Sequence, residues 1–148
     1  MDGKDKILIV DDEPANVFLL ELILEDKYEL IKADNGKDAV KMAGEELPDL
    51  ILLDIMMPLM DGLEVCKILS DNNKTRDIPI ILVSAKIQDE DVEKGLDLGA
   101  VDYIKKPVSE TELKARVRTA LRIKHREDEL KRLNKLKNDF LHIVSHDL

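Results

Sequence analysis

The sequence predicts an α/β fold built on a doubly wound, five-stranded parallel sheet, and two observations carry that expectation. Apolar runs rich in β-branched residues alternate with amphipathic stretches five times over, which is the pattern of βα units around a parallel sheet. The composition, 44% hydrophobic but only 3% aromatic, is that of a globular chain with an aliphatic core of Ile, Leu and Val. Five such units most often take the strand order 2-1-3-4-5.

The strands are expected at Ile7 to Val10, Tyr28 to Ala33, Leu50 to Leu53, Ile80 to Val83 and Val101 to Ile104. Between them lie helical patterns at Ala15 to Glu25, Lys37 to Glu46, Gly62 to Ser70 and Asp89 to Leu98, with a last one opening near Ser109. Pro14 and Ser109 suit helix starts, and Gly99 suits a stop. The last helix does not end where a small domain should. No proline or glycine occurs from Ser109 to Leu148, and one helix of that length would extend about 60 Å, too far to pack on one small sheet. The domain is therefore expected to span residues 1–121. A charged connector from Arg122 to Glu129 and a new apolar pattern then make up residues 122–148 as a long helical extension.

Charge divides the chain in the same place. Residues 1–112 hold 13 Lys and Arg against 27 Asp and Glu, a net of -14, and residues 113–148 hold 10 against 5, a net of +5. An acidic body argues against nucleic-acid binding by that part. On the basic helix, apolar residues and acidic neighbours favour a solvated or helix-pairing face. The apolar runs fall far short of the roughly 20 residues of a membrane span. The polar start of the chain does not resemble a secretory signal, and the lone Cys66 fits a reducing cytoplasm.

In a doubly wound sheet, ligands bind beyond the carboxyl ends of the strands. Those ends carry Asp11, Asp12 and Glu13 after the first strand, Asp54 after the third, Ser84 after the fourth, and Lys106 with Pro107 after the fifth. Each has an ordinary reading: Asp12 or Glu13 could cap the helix that begins at Pro14, Asp54 could serve a turn, and Lys106-Pro107 could be a loop. Jointly they are far more specific. Clustered carboxylates repel one another unless a hard cation joins them, and Mg²⁺ favours one or two carboxylates, waters and phosphate oxygens. An ammonium and a hydroxyl at the same rim could bind the oxygens of a phosphoryl group carried on a carboxylate.

The segments ILIVDDEPAN, DLILLDIMMPLMDG, PIILVSA and GAVDYIKKP, in this order, resemble the response-regulator receiver family over about Asp5 to Leu121. The fold implied is the flavodoxin-like one. The resemblance implies that Asp54 is the phosphoacceptor, that Asp12, Asp54 and the Met56 carbonyl hold Mg²⁺, and that Asp11 supports the metal through water. It further implies that Ser84 and Tyr103 form a switch pair and that Lys106 precedes a cis Pro107. Haloacid-dehalogenase-like phosphatases also phosphorylate a strand-end aspartate, but they need a second aspartate two positions on, where this chain has Met56. Met56 is expected instead to shield the site from water and slow the loss of phosphate.

The final LNKLKNDFLHIVSHDL resembles the opening of a histidine kinase dimerisation and phosphoacceptor domain. That resemblance makes His146 a phosphorylated histidine and Asp147 the residue that helps take its proton. His142 and His146, four apart, have a spacing that can bind zinc, but Ile143 replaces the glutamate of a metalloprotease motif. His125 is expected to be a solvated side chain. Leu130, Leu133, Phe140 and Val144 follow alternating steps of three and four, with Lys137 at the missing position, so a parallel homodimer through this helix is expected. The chain has no P-loop or kinase ATP-binding boxes, so it is read as part of a longer, cytoplasmic hybrid sensor kinase whose receiver takes its phosphoryl group from a kinase or phosphotransfer protein. The alternative is a free-standing response regulator whose last helix serves only for dimerisation or partner binding.

Overall fold

A computed structural model describes residues 3–85 and 89–147, the side chains of Asp89, His146 and Asp147 excepted. Along the chain run β1 (Lys6–Val10), α1 (Pro14–Leu24), β2 (Glu29–Ala33), α2 (Gly36–Glu46), β3 (Leu50–Asp54), α3 (Gly62–Ser70), β4 (Ile80–Ser84), α4 (Asp89–Asp97), β5 (Asp102–Lys105) and α5 (Glu110–Asp147). The strands form one sheet, all parallel, in the expected order β2-β1-β3-β4-β5. β3 and β4 run one residue past their apolar stretches, because the ladder still pairs Asp54 with Val83 and Ser84 with Lys105. The two polar residues are thereby fixed on strands rather than loops.

Side chains alternate across the sheet, and both faces are covered. Leu8, Val10, Ile51, Leu53, Ile80 and Leu82 face one layer, where Ala39 and Ala43 of α2 and Leu63, Cys66 and Leu69 of α3 meet them. Ile7, Ile9, Leu50, Leu52, Ile81 and Val83 face the other, against Leu20 and Leu24 of α1 and Leu113, Val117 and Leu121 of α5. Each large aliphatic side chain so buried contributes about 1.5–3 kcal/mol. Burial on both faces explains why β1, β3 and β4 read as continuous apolar runs.

Local chemistry fixes the helix starts. Asn35 accepts the Asp38 backbone N–H at 2.8 Å, and Asp61 accepts that of Glu64 at 2.9 Å, which caps α2 and α3. α1 starts differently: Pro14 occupies its first turn, and the Glu13 side chain makes no capping bond.

The charged stretch Arg122–Glu129, expected as a connector, is part of α5, which continues without interruption for 38 residues. Burial against the sheet ends at Leu121. Two polar contacts then hold the helix to the lower edge of the sheet. His125 Nε2 lies 3.0 Å from Asp5 Oδ1, and Lys131 Nζ lies 2.8 Å from Asp77 Oδ2. His125 is thus paired with Asp5 rather than merely solvated, because Asp5 immediately precedes β1 and α5 passes that end of the strand. No helix among the described residues is long and apolar enough to cross a membrane.

Candidate functional site

Parallel strands bring their carboxyl ends to one rim, and the candidate residues gather there. Asp11 follows β1, Asp54 closes β3, Ser84 closes β4, and Lys106 follows β5, with its backbone N–H donating to the Ser84 carbonyl at 2.9 Å. Asp11, Asp12 and Asp54 each offer a carboxylate oxygen within 4.8 Å of the others. Asp11 and Asp54 are buried, while Asp12 is open to solvent.

The Lys106 ammonium lies between the two buried carboxylates, 2.8 Å from Asp11 Oδ2 and 3.4 Å from Asp54 Oδ2. Both Asp11 oxygens are engaged, since Oδ1 accepts the Glu13 backbone N–H at 2.9 Å. Asp54 Oδ1 accepts the Met56 N–H at 3.1 Å. Burial pushes the Asp54 carboxyl above its ordinary value and Asp11 adds to the rise, against the opposing pull of Lys106 and the Met56 N–H. Burial alone would lower Lys106, but the bond to Asp11 and the charges of Asp54 and Asp11 outweigh it and leave the ammonium raised. Asp54 is therefore a comparatively basic carboxylate beside a fixed cation, which suits a nucleophile that must attack a phosphorus atom.

Ser84 is fully buried, and its hydroxyl has no hydrogen-bond partner among the described residues. An unpartnered buried hydroxyl at the rim has spare donor capacity for an incoming oxygen. Tyr103, the other half of the expected switch pair, is 40% exposed, on the strand next to Ser84. The Lys106-Pro107 bond is cis. The Met56 side chain, expected to shield the site from water, is itself 56% exposed. His146 and Asp147 lie in α5, and their side chains fall outside the described residues.

Gly62, which opens α3 and closes the segment DLILLDIMMPLMDG, also shapes the site. Its N–H donates to the Ile55 carbonyl at 2.9 Å, and a Cβ there would fall 2.3 Å from the Asp54 carbonyl oxygen. Only glycine lets α3 approach the end of β3 so closely. The Asp61-Gly62 pair, seven and eight residues after Asp54, was the available signal.

The oxygen donors fit a hard divalent cation. Three carboxylates face one ammonium, which leaves uncompensated negative charge, and the contacts to Asp54, at 3.1 and 3.4 Å, are longer than those to Asp11, at 2.9 and 2.8 Å. The response regulator receiver domain family matches residues 7–118. Response regulator PleD of Caulobacter vibrioides is 47% identical over 127 residues, 85% of this chain and 28% of PleD. The alkaline phosphatase synthesis transcriptional regulatory protein PhoP of Bacillus subtilis is 48% identical over 118 residues, 79% of this chain and 48% of PhoP. The chain thus spans less than half the length of either relative. Among solved structures, the receiver domain of a sensor histidine kinase from Pseudomonas aeruginosa PAO1, with a magnesium ion coordinated in its active-site cleft, superposes with a TM-score of 0.75. It is 29% identical and covers 80% of this chain and 98% of that one. A family match across most of the sheet and its rim, together with relatives near half-identical to it, shows that this chain belongs to the response regulator receiver domain family.

Proposed function

We propose that the chain accepts a phosphoryl group on Asp54 from a phosphohistidine and uses the acyl phosphate to regulate an attached histidine kinase output. The observation that carries this reading is the buried, basic Asp54 carboxylate held 3.4 Å from the Lys106 ammonium, beside Asp11 and Asp12. Mg²⁺ would be held by Asp12, Asp54 and the Met56 carbonyl, with Asp11 in support through water, and when bound it neutralises charge on the phosphoryl oxygens. Asp54 attacks phosphorus, Lys106 balances the added charge, and the free Ser84 hydroxyl turns to donate to a phosphoryl oxygen. Asp54→Asn should abolish acid- and base-labile phosphate formed from a small phosphodonor in Mg²⁺. Undiminished labelling of that variant would sink the assignment.

A new bond at Ser84 vacates space beside β5, and Tyr103 turns inward to fill it, which alters the face formed by α4, β5 and α5. The Tyr103 ring resonances should therefore shift when beryllofluoride is added as a phosphoryl mimic. Unmoved resonances would remove the switch from this account.

The domain ends near Leu121, and residues 122–148 form the linker and the opening of a histidine kinase dimerisation domain, in a cytoplasmic protein. There His146 carries a phosphoryl group and Asp147 assists its proton. The same helix pairs two copies in parallel. Leu130, Leu133, Phe140 and Val144 are all exposed. At 3.6 residues per turn this seam lies about 175° around the helix from the face that continues Leu113, Val117 and Leu121 through Lys131. It is turned away from its own receiver. In a parallel pair Arg122 faces Glu127 of the second copy, and Leu136 faces its Leu141.

The rival reading, a response regulator whose helix only pairs copies, draws support from the names of the two curated relatives. The reading frame beyond residue 148 separates the two: a kinase ATP-binding domain supports the first and a stop codon the second.

A further inference from the structure

We infer that the lower edge of the receiver is a seat for residues 122–131 of α5, and that Asp5 and Asp77 are the residues that fix the direction in which the helix leaves the sheet. Both seats lie at the edge opposite the rim, so the reading of Asp54 as acceptor plays no part in it.

Leu113, Val117 and Leu121 are the buried face that carries α5 down the sheet. At about 100° per residue the same stripe continues as Lys124, Asp128 and Lys131. It turns from apolar to ionic where the sheet ends. Lys124 donates to Asp128 at 2.6 Å and keeps only 16% of its side chain exposed. Lys131 donates to Asp77 at 2.8 Å. The bond from Lys131, with the charges of Lys131 and Lys124, holds the Asp77 carboxyl below its ordinary value. Asp77 thus answers two ammoniums of one helix face, seven residues apart. His125 projects about 90° to one side of this stripe and meets both oxygens of Asp5, at 3.0 and 3.1 Å. A carboxylate only accepts, so Nε2 of His125 carries the proton in this contact.

Both seats are themselves anchored. The Asp5 carbonyl accepts the Glu29 backbone N–H at 2.9 Å, which ties the approach to β1 to the first residue of β2. The turn before Asp77 is pinned to α3, where Thr75 Oγ1 donates to the Leu69 carbonyl at 2.8 Å. Within that turn the Arg76 N–H donates to Asn72 at 2.9 Å and the Ile78 N–H to Thr75 at 3.0 Å. Asp11, Asp54, Ser84 and Thr75 are the buried polar residues among those described, and the first three belong to the rim. Thr75 is spent on the turn that presents Asp77.

Asp5 leads into β1 and Asp77 into β4, strands that flank β3. Their partners on α5 are six residues, or about 9 Å, apart along the axis. The helix is therefore held at two points beyond its last buried residue. A helical stretch with no buried face draws little stability from its own backbone. Exposed ion pairs are individually weak, but these need only select one direction for a helix already formed as far as Leu121. So held, receiver and connector move as one body. A displacement of α5 at the rim then reaches the outward seam as a movement of the whole helix, and is not lost in a hinge after Leu121. Asp5, Asp77 and Thr75 are positioning residues for the tail.

Pulsed dipolar spectroscopy on the full chain tests this. In a Cys66→Ala background, spin labels are placed at Lys67→Cys on α3 and Asp139→Cys on α5, and labelled chains are diluted into unlabelled ones. The parent should give one distance population. Asp5→Ala with Asp77→Ala should broaden it by about twofold or add a second population, because a segment without buried contacts opens locally once its pairs are gone. Salt at about 1 M, where the Debye length is near 3 Å, should do the same. Asp77→Lys should broaden the population, and Asp77→Lys with Lys131→Asp, which restores opposite charges, should return it to the parent width. Loading with phosphoramidate, read as hydroxylamine-labile phosphate, should keep its parent rate in every variant, since neither seat is near Asp54. The inference is overturned by a parent population as broad as that of the double alanine variant, or by a charge swap that stays as broad as Asp77→Lys. Where the alanine variant fails to fold and so loses its loading, the swap decides alone. Failure of the acceptor reading looks different: hydroxylamine-labile phosphate would persist in Asp54→Asn while the distance populations behaved as expected.

Discussion

Gly62 offers a test of how tightly the rim is built. Alanine there would place its Cβ 2.3 Å from the Asp54 carbonyl oxygen, 2.8 Å from the Ile55 Cα and 3.0 Å from the Asp54 carbonyl carbon. All three are main-chain atoms, so none can swing aside as a flexible side chain could. Relief requires α3 and the end of β3 to part by about 1 Å, which costs on the order of 1–3 kcal/mol as overpacking. Weakening the Gly62 N–H bond to Ile55 adds about 1 kcal/mol. The expected loss is therefore about 3 kcal/mol, or a fall of about 1.5 M in the urea midpoint. The same displacement moves Asp54 relative to Lys106, so phosphorylation by a small donor should slow by about tenfold to a hundredfold. Gly44→Ala is the matched control: nothing lies within 4 Å of its added Cβ, and a helical Gly→Ala change there should gain about 0.5–1 kcal/mol. If Gly62→Ala unfolds within about 0.5 kcal/mol of the parent and is phosphorylated at the same rate, the close approach of α3 to Asp54 is not what sets the site.

The remaining expectations concern charge and assembly. Burial raises the Asp54 carboxyl above 3.8, so the associated stability is fully present below that value and is lost as pH rises through the folded one. Asp54→Asn should then gain on the parent in urea midpoint as pH rises from about 4 through the raised Asp54 titration, and curves that stay parallel would contradict the burial argument. Light scattering at micromolar concentration should find the full chain dimeric and a chain cut after Leu121 monomeric. A dimer that survives the cut would place the interface on the receiver instead.

Much of the fold was legible because both sheet faces are buried. Double-sided burial makes β1, β3 and β4 uninterrupted apolar words, and their regular spacing by amphipathic stretches leaves few topologies open. The rim could be read for a related reason: parallel strands deliver residues that follow separate apolar runs to one edge, so Asp11, Asp54, Ser84 and Lys106 could be grouped before any contact was known. Contacts made across large sequence separations were not legible. The pairing of His125 with Asp5 spans 120 residues and depends on where α5 passes β1, which no local pattern encodes. The helical continuation through Arg122–Glu129 was legible from the absence of proline and glycine, although its surroundings change there. The helix loses its buried face at Leu121 but keeps its backbone bonding, so hydrophobic periodicity fades while the helix does not. Gly62 was hidden because a glycine at a helix start is unremarkable until the atoms opposite it are known.

An unbroken α5 also constrains how this chain can change in length. Because the buried face of Leu113, Val117 and Leu121 and the outward seam after Ile123 share one helix, their relative phase is set only by the number of residues between them. Adding seven residues to that stretch would move the seam about 10 Å further out and leave it rotated by only about 20°. Adding two would swing it by about 160° and turn Leu130 and Leu133 back towards their own receiver. If copies pair through this exposed stripe, insertions and deletions between it and the receiver should be tolerated in steps of whole turns, and a helical domain fused to this receiver would have to be joined in the same steps.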